Sequence, residues 1–98
     1  MTFEVRLRPE AERDLAEAAG WYESHREDLG DRFLDEVVAA LAAISDLPLG
    51  FPEIHRNTRR ALIRRFPFGV YYVVEDSEVV VVAVMHASRS PRRWKVRD

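Results

Sequence analysis

The sequence predicts an α+β domain: one strand, two helices forming a hairpin, and then a run of strands that builds an antiparallel sheet against it. Three observations carry that reading. Residues 3–8 alternate with period two. Residues 9–47 repeat their apolar positions at helical spacing. Beyond residue 58, β-branched and aromatic residues run together. The 98 residues contain no linker, repeat or low-complexity stretch, so the chain reads as a single domain, 1–98.

In "FEVRLR" (3–8), Phe3, Val5 and Leu7 share one face, and Glu4, Arg6 and Arg8 share the other, the pattern of a half-buried strand. Pro9 then opens a helix at its first position, where its missing N–H is not needed. Glu10, Glu12 and Asp14 favour the positive helix end, and with Glu17 they are expected to solvate its outer face. Leu15, Ala18, Ala19 and Tyr22 carry the helix to His25 or Asp28, and Gly30 reads as its stop. Trp21 and Tyr22 read as core. In "DRFLDEVVAALAAISDLP", Asp31 can cap a second helix, and Leu34, Val37, Val38, Leu41 and Ile44 form its apolar stripe. Leu47-Pro48 and Gly50 end it.

"RRALIRRF" (59–66) reads as a strand, and "FPFG" (66–69) as a hairpin turn with Pro second and Gly fourth. "VYYVVED" and "EVVVVAVM" make two further strands, and a short one is expected near Phe51–Arg56. Val79–Met85 does not alternate, so both of its faces are apolar. A two-helix hairpin covers one side. The other calls for the C-terminal tail with Trp94, or for another chain.

The formal charge of −2 hides a polarity. Residues 1–54 carry five Arg against thirteen acids (−8), and residues 55–98 carry ten Lys or Arg against four acids (+6). Cysteine is absent, which excludes disulfides, thiol nucleophiles and thiolate metal sites and suits a reducing compartment. The first residues lack the apolar stretch of a secretion signal, and "VVVVAVM" is too short to span a bilayer, so a cytoplasmic location is expected. No residues have metal-ligand spacing, no Gly-rich phosphate loop is present, and neither metal nor cofactor is expected.

Two constellations could carry chemistry. His86 ends the last strand, where it could serve as general acid or base or simply hydrogen-bond a neighbour. Arg59, Arg60, Arg64 and Arg65 on one strand, and Arg89, Arg92, Arg93 and Arg97 after another, suit phosphate or carboxylate contacts.

Taken in order, "DLAEAAGWYE", "LGDRFLDEV", "FP", "RRFPFGVYYVV" and "VVVVAVMHASRSPRRW" resemble the RelE/ParE superfamily of toxins from type II toxin–antitoxin systems, over Leu7 to Arg97. The resemblance implies a β-α-α-β-β-β(-β) fold with the first strand beside the last. Counting chain reversals then sets those two strands antiparallel. It also implies a cognate antitoxin, ParD-like with a ribbon-helix-helix part, in a hetero-oligomer, and a role in plasmid stabilisation. One branch of the family poisons DNA gyrase by binding; the other cleaves messenger RNA on the ribosome without metal. Gly69 stands where the nuclease branch usually has an Arg, and the tail has no Tyr. The ParE-like, gyrase-directed reading is therefore preferred, with Arg89, Arg92 and Arg93 as target contacts. The alternative is a ribosome-dependent endoribonuclease using Arg60, His86 and Arg89.

Overall fold

A computed structural model describes residues 2–88. The elements are β1 (Glu4–Leu7), α1 (Pro9–His25), α2 (Leu29–Asp46), β2 (Glu53–His55), β3 (Thr58–Leu62), β4 (Phe68–Glu75) and β5 (Glu78–His86). They form one five-stranded sheet in the order β1-β5-β4-β3-β2, with the α1–α2 hairpin on one face. The α+β class, the hairpin and the placing of the first strand beside the last agree with the sequence.

The direction of that last pair does not. β1 runs parallel to β5, with Glu4 opposite Glu78 and Leu7 opposite Val81, while the other three pairings are antiparallel. The sheet is therefore mixed. The reason is parity: β2 is a real strand of three residues, and it adds one chain reversal between α2 and β5 that the direction count left out.

The non-alternating run in β5 also has a local cause. Tyr71 pairs with Ala83 and Tyr72 with Val81, so Val82 is an extra residue on β5, a β-bulge. The bulge shifts the side-chain period by one. Val79, Val81 and Val84 join the core beneath the helices, with Phe33, Val37 and Ile44 of α2. Val82, Ala83 and Met85 join Tyr71 in a separate cluster on the other face.

Tyr22, Phe33, Phe66 and Phe68 form an aromatic group beneath the hairpin, with centroids 4.9 Å apart for Tyr22–Phe66 and 5.2 Å for Phe33–Phe68. Gly30, expected to stop α1, lies inside α2. A Cβ there would sit 2.7 Å from the Ala19 carbonyl oxygen, so its role is to let the two helices touch. The cap of α2 is Asp28, not Asp31. The turn after β3 is occupied by residues 64–67, closed by Ile63 N–H donating to Phe68 O at 2.9 Å. Arg65 takes the left-handed backbone there, and Gly69 belongs to β4. Two tethers hold the α2–β2 loop. Tyr72 donates its hydroxyl to Pro48 O at 2.5 Å, and Arg59 donates to Phe51 O at 2.7 Å.

Candidate functional site at the end of β5

β1 accompanies β5 only as far as Val81, so among the described residues the edge of β5 beyond that point has no strand beside it. The chain leaves β1 into α1, which crosses this edge. Asp14, in the second turn of α1, accepts a hydrogen bond from Val84 N–H at 3.0 Å, which satisfies a donor that the sheet cannot. Asp14 is thus an anchor between helix and sheet. It does not merely solvate the outer face of α1, as the sequence reading expected.

Between α1 and the end of β5 lies an open groove of about 1040 Å³. Glu10, Asp14, Glu17 and Trp21 line its helix side, and Phe68 and His86 its sheet side. Trp21 is 57% exposed and stacks on His25 with centroids 3.9 Å apart. Of the two aromatics expected in the core, only Tyr22 packs against it. Burial pushes the Tyr22 hydroxyl pKa up from its ordinary 10.0.

His86 stands opposite Phe68 in the register, with ring centroids 5.7 Å apart. Its Nδ1 accepts a hydrogen bond from Ser88 N–H at 3.2 Å and lies 2.7 Å from Ser88 Oγ. A backbone N–H requires a lone pair on Nδ1, so the neutral imidazole carries its proton on Nε2. In that tautomer Nδ1 is turned to Ser88, at the C-terminal end of β5.

Arg60 lies on the opposite face of the sheet. It pairs across the strands with Tyr71, and its side chain runs over Gly69. A Cβ on Gly69 would meet Arg60 Cγ at 3.0 Å and Cδ at 3.1 Å. The position where the nuclease branch usually has an Arg is thus filled by the stem of another Arg. Arg60 Nε is buried without a hydrogen-bond partner among the described residues. Arg59 is committed to loop carbonyls, whereas Arg64 and Arg65 are exposed on the turn. The two described members of the nuclease set, Arg60 and His86, are therefore held on different faces. Arg89, Arg92, Arg93, Trp94 and Arg97 lie outside the described residues. Among the described residues, no group of three His, Asp or Glu could hold a metal, and no helix is long and apolar enough to cross a membrane.

Residues 5–91 match the family model for the ParE toxin of the type II toxin–antitoxin system parDE. The chain belongs to the ParE toxin family. Solved structures agree with this ParE-family fold. The chromosomal ParDE system of P. aeruginosa superposes with a TM-score of 0.77 at 15% identity, covering 87% of this chain and 96% of that one. The RelBE2 toxin–antitoxin complex of Mycobacterium tuberculosis gives 0.62 at 26% identity, covering 88% and 99%. A mutant of the E. coli toxin RelE in the free state gives 0.64 at 16% identity, covering 99% and 97%. No curated protein matches the ParE-family chain by sequence.

Proposed function

We propose that this toxin acts by binding its target, with DNA gyrase as that target, and that a ParD-like antitoxin neutralises it in a cytoplasmic hetero-oligomer. One observation carries the binding reading. Metal-free RNA cleavage needs a base, an acid and phosphate-binding cations converging on one scissile bond. Here the His86 imidazole uses Nδ1 for Ser88, and Arg60 lies across the sheet from it. The antitoxin reading is supported by the ParDE and RelBE2 systems among the structural relatives. In this proposal Arg89, Arg92 and Arg93, which follow the last strand, make the target contacts.

The test is expression of the toxin without its antitoxin, scoring DNA breaks and messenger RNA cleavage in the same cells. DNA damage with intact transcripts is the expected result. Rapid transcript cutting that depends on ribosomes overturns the proposal in favour of the endoribonuclease.

A further inference from the structure

The face of the sheet opposite the hairpin is buried along a strip where no described element lies on it. Tyr71 is 2% exposed, Met85 7%, and Val82 and Ala83 0%. Their cluster is built from β4 and β5 alone, with Val73 packed against it. A bare sheet face leaves such side chains partly in water. The stem of Arg60 lies over Gly69 on this face, yet Arg60 Nε is itself buried, so the cover continues above it. The cover is also narrow. Leu62, two residues from Arg60 on β3 and therefore on the same face, is 59% exposed.

We propose that the chain covers this strip itself, with residues 89–98 returning across β5 and β4 and the Trp94 indole seated on Tyr71, Val82 and Ala83. This inference is independent of the target reading. Burial selects the occupant. The exposed fractions are those of the chain by itself, so the cover belongs to the chain. Outside residues 2–88 there remain Met1 and the ten residues after Ser88. Met1 precedes β1, whose first residue pairs with Glu78 at the opposite end of β5 from His86, and one residue does not span the strip. The C-terminal segment starts where the strip starts, beside Met85 and His86.

Reach and composition agree. The chain turns at Ala87 and Ser88, where Ala87 N–H donates to Pro67 O at 2.8 Å and Ser88 N–H to His86 Nδ1 at 3.2 Å. Val82 lies four residues back from His86 along β5, about 13 Å. Trp94 lies six residues beyond Ser88, a reach of up to roughly 20 Å. Pro91 favours an extended residue before it and removes one N–H that a segment crossing a sheet face would leave without a strand partner. Trp94 and Val96 alternate with Arg93, Lys95 and Arg97. An extended segment therefore turns both apolar side chains to the sheet and three cations to water. A tryptophan buries roughly 150–250 Å², which suits a strip one chain wide. The β3 side of the face, at Leu62, stays open.

The chain has two tryptophans and no cysteine, which permits a direct test on the full chain. Trp21→Phe leaves Trp94 as the sole tryptophan. The expected result is a blue-shifted Trp94 emission that acrylamide quenches several-fold less than in urea, at every protein concentration and without antitoxin. In the same background, a bimane label on Val73→Cys is quenched by Trp94 and recovers its emission with Trp94→Phe. A label on Glu17→Cys, in the groove beside α1, is not quenched. Trp94→Asp opens the face, read as increased binding of the dye ANS with helix content unchanged. A native Trp94 as accessible as in urea overturns the proposal. So does the reverse bimane pattern, which puts the segment in the groove. Protection that grows with protein concentration assigns the face to a second copy, and protection that appears only with antitoxin assigns it to the antitoxin; either result makes the proposal wrong. Should Trp94→Asp fail to fold, quenching of the unaltered Trp94 still decides, because Trp21→Phe changes an exposed position.

Discussion

Asp14 shows how much a single carboxylate depends on where its chain neighbours end. It sits on α1 among acids of the same appearance, but β1 ends at Leu7, opposite Val81, and Asp14 supplies the acceptor for Val84 N–H. Asp14→Ala leaves a half-buried donor unpaired and is expected to lower stability by about 1–3 kcal/mol. Asp14→Asn retains a side-chain oxygen and is expected to cost less; urea unfolding of both variants checks this. His86 differs. Because its Nδ1 is engaged locally, His86→Ala is expected to reduce toxicity at most modestly, measured in growth assays beside ribosome-dependent RNA cleavage. Loss of a cleavage activity present in the unaltered protein would reverse that assignment. Tyr72 makes a prediction about pH. Burial raises its hydroxyl pKa above 10.0, and nearby Arg59 partly lowers it. The folded state then holds the proton where the unfolded state has lost it, so stability is full below pH 10 and falls as pH rises above it. Tyr72→Phe is expected to flatten that alkaline decline, at the cost of the hydrogen bond to Pro48.

At the scale of elements, two glycines of the hairpin separate packing from propensity. Gly20 lies within α1, is exposed, and has open space where a Cβ would be. Gly20→Ala is expected to stabilise the protein by about 0.5–1 kcal/mol through the unfolded state and helix propensity. Gly30 lies within α2 with Ala19 O 2.7 Å and Glu23 Oε1 3.0 Å from the added Cβ. Gly30→Ala must push the helices apart and is expected to destabilise by about 1–3 kcal/mol, despite the same gain in propensity. Thermal unfolding of the pair gives opposite signs if helix contact sets the role of Gly30. The bulge at Val82 acts at this scale too. It lets one strand feed two apolar clusters, and it turns His86 toward the groove beneath α1.

For the whole molecule, the sheet has one face under the hairpin and a second apolar cluster, around Tyr71 and Met85, on the other. The proposed antitoxin gives this two-faced sheet a partner. Co-expression is expected to yield a stable complex burying well over roughly 1,000 Å², whereas the toxin alone is poorly soluble or self-associated. The polarity of charge is expected to divide the work, with the basic C-terminal half turned to the target. Combined replacement of Arg92 and Arg93, or Arg89→Ala alone, is expected to lower toxicity strongly while antitoxin binding persists. A contact arginine at a hot spot is worth about 2 kcal/mol or more. Pull-down of gyrase by the unaltered and altered toxins separates loss of target binding from loss of fold.

The sequence by itself determined the class of the fold, the hairpin and the family, because those rest on local periods and on the order of motifs. Pro9 at a helix start, the helical spacing of Leu15, Ala18 and Tyr22, and the β-branched run in β5 each act over a few residues and need no partner to be read. What only tertiary structure decided are matters of parity, neighbourhood and facing. The short strand expected near Phe51–Arg56 is β2, and its pairing with β3 adds the reversal that sets β5 parallel to β1. The anchoring role of Asp14 follows from where β1 ends, and the filled slot at Gly69 follows from a residue on another strand. Val38 and Leu34 share helical spacing with the buried stripe, yet the structure leaves them exposed while Val37 and Ile44 pack into the core. A period shows that a face is apolar; packing decides which part of it is covered by the chain itself and which part is left for another.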